Sequence, residues 1–244
     1  GLEHNEKSED GSYTGKLTIT SEKDADGNDT GSLTATGGNG AAGIGSSDGN
    51  GAGTIEITGG NITANGGNNA AGIGGGFQGN GENITINDGK VTATGGNYAA
   101  GNGGGSVGRW GGDAGSGKNI TINGGTVNAT GTDGAGIGGG HSGKAENIRI
   151  NGGVVTATGG EWGYGIGSGY NEYSLLPTTI TITGGTVKAI AGKPGAAIGV
   201  LASANDLTMT GGSLTVQKFE NSWGWIISPS STIGEVDINS LTGA

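Results

Sequence analysis

The chain has 244 residues, of which 62 are glycine, 3 are proline and none is cysteine, so no disulfide framework holds it together. Without a period, that much glycine would read as low complexity, but charged residues make up only 13%, unlike a charge-rich disordered segment. A net charge of −10 repels a phosphate backbone and argues against a nucleic-acid partner, and no apolar run reaches the length of a membrane helix, which argues against insertion.

Residues 1–16 are polar and read as a tail or a first edge strand, and "GLEHNEKSED" looks like a trimmed start. A repeat follows from residue 17. Its first copy is degenerate, with Leu17, Leu33 and Ile44 at the key positions and an insert between its first two strands. That insert, within 21–31, gathers Asp24, Asp26, Asn28 and Asp29 around Gly27. Alternating oxygen ligands about a glycine turn suit a hard cation such as calcium, although the distal Glu and flanking helices of an EF-hand are missing. A solvated acidic hairpin tip is the other reading.

The later copies begin at Ile55, Ile84, Ile120, Ile148 and Ile180, with a cousin at Leu207. In each of those five, seven residues separate the first Ile from the next aliphatic, as from Ile55 to Ile62 or Ile120 to Val127. Each copy predicts three short extended segments, "I-T-I", "V-T-A" and "A-G-I-G", separated by glycine corners. Length varies only after "GGG", so insertions there form loops on one edge. One copy cannot bury its apolar side alone, whereas a stack can. The prediction is an all-β parallel β-solenoid of six to seven three-faced coils over 17–216, with like residues stacked every ~4.8 Å. Asn83, Asn119 and Asn147 before the first strand, and Asn87, Asn123 and Asn151 after it, are placed for hydrogen-bonded ladders along the axis. Residues 217–244 leave the pattern, carry Phe219, Trp223 and Trp225, and read as a C-terminal cap over an open strand edge.

"ITINGGTVNATGTDGAGIGGG" (120–140) and "ITITGGTVKAI" (180–190) resemble glycine-rich repeats of secreted or surface proteins of Gram-positive bacteria, some of which are similar to β-helical carbohydrate-binding modules. The resemblance covers roughly 17–216. It implies right-handed coiling, a secreted or cell-surface location and a glycan-facing role, and it brings no fixed binding motif.

Aromatic residues mark the candidate ligand site. Tyr98 and Trp162 occupy equivalent corners two coils apart, ~10 Å, with Asp133 near the corner between. Flat rings suit the apolar faces of sugars, and a carboxylate accepts hydroxyl hydrogen bonds. Tyr164 falls where other copies hold Ala71, Ala100 and Ala135, so its ring must bulge outward or distort the coil. The post-"GGG" loops add Phe77, Arg109, Trp110, His141, Tyr170 and Tyr173 on the same edge, as binding loops or as packed flaps.

Three further features have competing readings. Asn102 replaces the inward Ile of its neighbours, so its amide bonds to nearby backbone, holds a water or turns outward. Thr34, Thr36, Thr63, Thr92, Thr94, Thr130, Thr156 and Thr158 face outward in a regular array resembling the surface of ice-binding solenoids, interrupted by Asn65 and Asn128. Glu82, Lys118 and Glu146 stack two residues before their strands, either as a charge-balanced ladder or as a distant relation of a glycosidase carboxylate pair. "GAGIGG" at 134–139 matches a dinucleotide-binding pattern but lacks the following helix that pattern needs. No catalytic residue is assigned. The residues favour a non-catalytic glycan-binding or adhesin module, with a surface stalk, an ice-binding protein and a polysaccharide-active enzyme as alternatives.

Overall fold

The computed structural model describes residues 1–4, 8–12, 14–108, 114–170, 178–193, 195–199, 206–218, 232–233 and 237–243. Three parallel sheets wrap one aliphatic interior, two of eight strands and one of six. The expected parallel β-solenoid is therefore the fold. It is consistent with right-handed coiling, the sense that strand twist favours for parallel crossovers.

The first face contains Thr54–Ile57, Gly81–Ile86, Gly117–Ile122, Ala145–Ile150 and Thr178–Ile182 among its strands. Ile55, Ile84, Ile120, Ile148, Ile180 and Leu207 are register partners from coil to coil. The second face contains Asn61–Asn65, Lys90–Thr94, Thr126–Thr130, Val154–Thr158 and Thr186–Ile190, with Ala64, Ala93, Ala129, Ala157 and Ala189 aligned. Period-2 alternation puts these columns inside, where they are almost fully buried, and sends the intervening residues outward.

The third face is narrow. Its strands are two residues long, as in Ile73–Gly74, Asn102–Gly103 and Ile137–Gly138, and each lies between two glycine-rich turns. The glycine ending each strand has φ between +129° at Gly74 and +149° at Gly167, a region closed to side-chain-bearing residues. A methyl group on Gly74 would also run into the carbonyl oxygen of Gly103 in the next coil. This column of glycines lets successive coils approach to strand spacing.

The polar start contributes a first edge strand, Leu2–Glu3, paired with Ile44–Gly45. At the other end, Thr232–Ile233 pairs with the first face and Asp237–Gly243 with the second. The segment read as a cap thus adds another parallel rung to two sheets. Phe219, Trp223 and Trp225 lie outside the described residues.

Both asparagine ladders form. The Asn119 amide donates to Asn83 at 3.0 Å and the Asn147 amide to Asn119 at 2.7 Å. The Asn123 amide donates to Asn87 at 2.7 Å and the Asn151 amide to Asn123 at 2.8 Å. This second ladder continues at both ends. Asn87 donates to Glu56, which pairs with Lys16 at 2.6 Å, and the Thr183 hydroxyl donates to Asn151. The Lys16 ammonium holds the Glu56 carboxyl below its usual range. Asn83, Asn119 and Asn147 all have φ near +55°, which asparagine tolerates better than most residues.

Asn102 points inward. It is fully buried between Ile73 and Ile137 in the third-face column, and neither its Oδ1 nor its Nδ2 meets a hydrogen-bonding partner among the described residues. An unpaired buried amide costs about 1–3 kcal/mol. Asn102→Ile should therefore raise unfolding stability by about that amount in urea titrations. Asn119→Ala should cost about 2–3 kcal/mol, by losing two exposed ladder bonds and placing alanine in the left-handed region, whereas Asn119→Gly should cost about 1 kcal/mol, because the backbone conformation is kept.

Candidate aromatic site

The edge that carries the site is built from two columns of turns flanking the third face. One column contains Gly40, Asn69 and Tyr98, all with positive φ from 60° to 73°. The other contains Phe77, Ser106 and His141, each donating its backbone amide to the first column: Phe77 to Gly40 at 2.8 Å, Ser106 to Asn69 at 2.8 Å and His141 to Tyr98 at 2.7 Å. Ser142 then donates to the Tyr170 carbonyl at 2.8 Å, placing Tyr170 one coil beyond His141. Backbone pairing of the turns thus sets the side chains in two parallel rows along the axis.

These rows bring four of the chain's rings together. Tyr98 meets His141 edge-on with centroids 5.9 Å apart, His141 meets Tyr170 at 5.8 Å, and Tyr170 meets Trp162 at 5.0 Å with a 43° tilt. Tyr98, Tyr170 and Trp162 are partly exposed, and so is Asp133. His141 is only 5% exposed and braces the ladder from behind, with Ser142 Oγ 3.2 Å from its Nδ1. The fold joins Tyr98, Tyr170 and Trp162 through His141, and Asp133 lies in the turn column between Tyr98 and Trp162. His141 is the member whose bridging position the sequence reading did not single out. Its signal was alignment: "GGGF", "GGGS", "GGGH" and "GSGY" end in equivalent residues 77, 106, 141 and 170.

Of the two outcomes expected for Tyr164, an outward bulge or a distorted coil, the outward bulge does not occur. Tyr164 is 5% exposed, packed in the column that holds alanine in neighbouring coils, and so offers no free stacking face. Burial, and to a lesser degree the Tyr170 phenol, push its hydroxyl up to about 12. Arg109 and Trp110, like Tyr173, lie outside the described residues.

The acidic insert folds as a hairpin bridged between Lys23 and Asp29. Asp24 Oδ1 accepts the backbone amides of Asp26 and Asn28 at 3.0 and 2.8 Å, and the Asn28 interactions hold its carboxyl below the usual range. The Lys23 ammonium lies 3.2 Å from Asp29 and 3.1 Å from Asp88, tying the hairpin to the coil two turns on, and both carboxylates raise its pKa. Among the described residues no three His, Cys, Asp or Glu side chains converge as a metal site.

The threonine rows are in register: Thr34, Thr63, Thr92, Asn128, Thr156 and Lys188 in one, Thr36, Asn65, Thr94, Thr130, Thr158 and Ile190 in the other. Glu82, Lys118 and Glu146 also stack, with the Lys118 ammonium 3.8 Å from Glu82 and between the two carboxylates in the column. "GAGIGG" runs into the third-face strand and its turn, with no helix after it.

The Beta helix repeat family model matches residues 28–48, 55–77, 84–106, 120–141, 148–170 and 180–199, together more than half of the chain. The chain belongs to this family. No curated protein and no solved structure matches it.

Tyr164 gives a test of the packing behind the ladder. The folded chain keeps this proton up to about pH 12, while the unfolded chain loses it near the ordinary value of 10.0, so stability should fall as pH rises between the two. Absorbance titration at alkaline pH should show one late-ionising tyrosine, and Tyr164→Phe should remove both that step and its share of the alkaline loss.

Proposed function

We propose that this chain is a non-catalytic carbohydrate-binding or adhesin module that works outside the cell, secreted or at the cell surface. The observation that carries this reading is the continuous ring ladder from Tyr98 through His141 and Tyr170 to Trp162 on one rigid edge. A thin aliphatic interior has no packing need for rings at its corners. Partly exposed aromatic faces fixed on a scaffold fit the apolar faces of sugar rings, and Asp133 supplies oxygen acceptors for sugar hydroxyls. Tyr98, Tyr170 and Trp162 would stack on the ligand, His141 would hold their spacing, and Tyr164 would support the ladder from inside.

The module holds its ligand without altering it. The stacked Glu82, Lys118 and Glu146 alternate in sign on the first face, and Lys118 pairs with Glu82.

The test is a glycan array and an insoluble-polysaccharide pull-down, each run with calcium and with EDTA. A selective hit is expected, with Trp162→Ala lowering affinity at least about tenfold, the usual effect of removing a tryptophan that anchors a ligand. Loss of the hit in EDTA would give the Asp24, Asp26, Asn28 and Asp29 hairpin a calcium role. A blank array in both conditions would sink the glycan reading in favour of a surface stalk.

A further inference from the structure

The ring ladder follows the solenoid axis, and this direction constrains the shape of its ligand. Consecutive coils are ~4.8 Å apart, close to the rise of one sugar unit in an extended β-linked chain. Tyr98 and Trp162 stand two coils apart, so they match alternate units of such a chain. The two columns do not end at Tyr98. They continue through Asn69 and Ser106 to Gly40 and Phe77, joined by the same amide-to-carbonyl bonds. The edge is therefore a track longer than the ring ladder: Ser106 is buried, Asn69 is half-buried, and a further half-buried ring, Phe77, stands at its far end.

Charge along this track is balanced. Asp133 and Glu161 lie in the corner column, and Lys144 and Lys193 are exposed in the same set of turns. The chain as a whole carries −10, so a polyanion meets long-range repulsion, and among the described residues no basic patch on this track offsets it.

We infer that the ligand is an extended, neutral, linear polysaccharide that lies along the solenoid axis and is held through internal sugar units. This inference rests on the glycan reading above. It predicts that affinity depends on chain length, because each added sugar reaches a further coil until the track is filled.

The experiment is calorimetric titration with tryptophan fluorescence, using cello-, xylo-, manno- and chito-oligosaccharides from disaccharide to hexasaccharide, with polygalacturonate as the anionic control. In the recognised series, affinity should rise at least tenfold between disaccharide and pentasaccharide and then level off, and polygalacturonate should not bind. Tyr98→Asn installs the residue found at that corner one coil earlier, which tolerates its φ of +62°. This variant should weaken pentasaccharide binding by a larger factor than disaccharide binding, because the longer chain spans both Tyr98 and Trp162 while Trp162 remains. A disaccharide that binds as tightly as the hexasaccharide would overturn the axial arrangement while leaving glycan binding intact. Tight polygalacturonate binding would overturn the neutral class alone. Silence across all series would remove both the inference and the reading beneath it.

Discussion

Everything in this molecule depends on one requirement: each coil must retrace the backbone path of the coil before it, one strand spacing away. Backbone hydrogen bonds along all three faces enforce this. The requirement is strictest on the third face, where Gly45, Gly74, Gly103, Gly138 and Gly167 adopt angles only glycine accepts and sit against the next coil's carbonyl oxygens. Length varies where the path leaves the stack, as it does at the 21–31 hairpin between the first two faces and after the third-face glycines. The four rings of the ladder stand in the turns on either side of the third face.

Polar groups follow opposite regimes on the two sides of the wall. Outside, amides repeat at the corners and satisfy one another, so the chain from Lys16 through Glu56, Asn87, Asn123 and Asn151 to Thr183 spans successive coils. Hydrogen bonds arranged in such a line polarise each other, which favours ladders over isolated pairs. Inside, Asn102 has aliphatic neighbours above and below and no partner. The same side chain therefore supports the fold where it repeats and weakens it where it stands alone.

The architecture was legible because the repeat writes register directly into spacing. The constant interval from Ile55 to Ile62, Ile84 to Val91 and onward placed every inner column of the first two faces correctly, and the stacked corner asparagines gave the ladders. Less was legible where side-chain volume had to compete with the stack. Tyr164 occupies an alanine column, and period alone cannot say whether a large ring is expelled or absorbed; the coil absorbs it. Asn102 posed the same question for polarity, and backbone pairing of Asn102 with Ile73 and Ile137 prevailed over the cost of its amide. The bridging position of His141, named only as one of the loop residues, was not legible because it depends on two turns from different coils lying side by side, a relation between columns that a one-dimensional repeat does not express.

The direction of the hydrogen bonds has a mechanical consequence. Strands run across the long axis and their backbone bonds run along it, with the first edge strand at one end and the Asp237–Gly243 rung at the other. A pull between the two ends therefore opens one rung at a time instead of shearing many bonds together. Resistance to such a pull is modest, repeats with each coil released, and grows little with the number of coils. A body built this way yields gradually under tension, paying out chain while the coils not yet reached keep their shape.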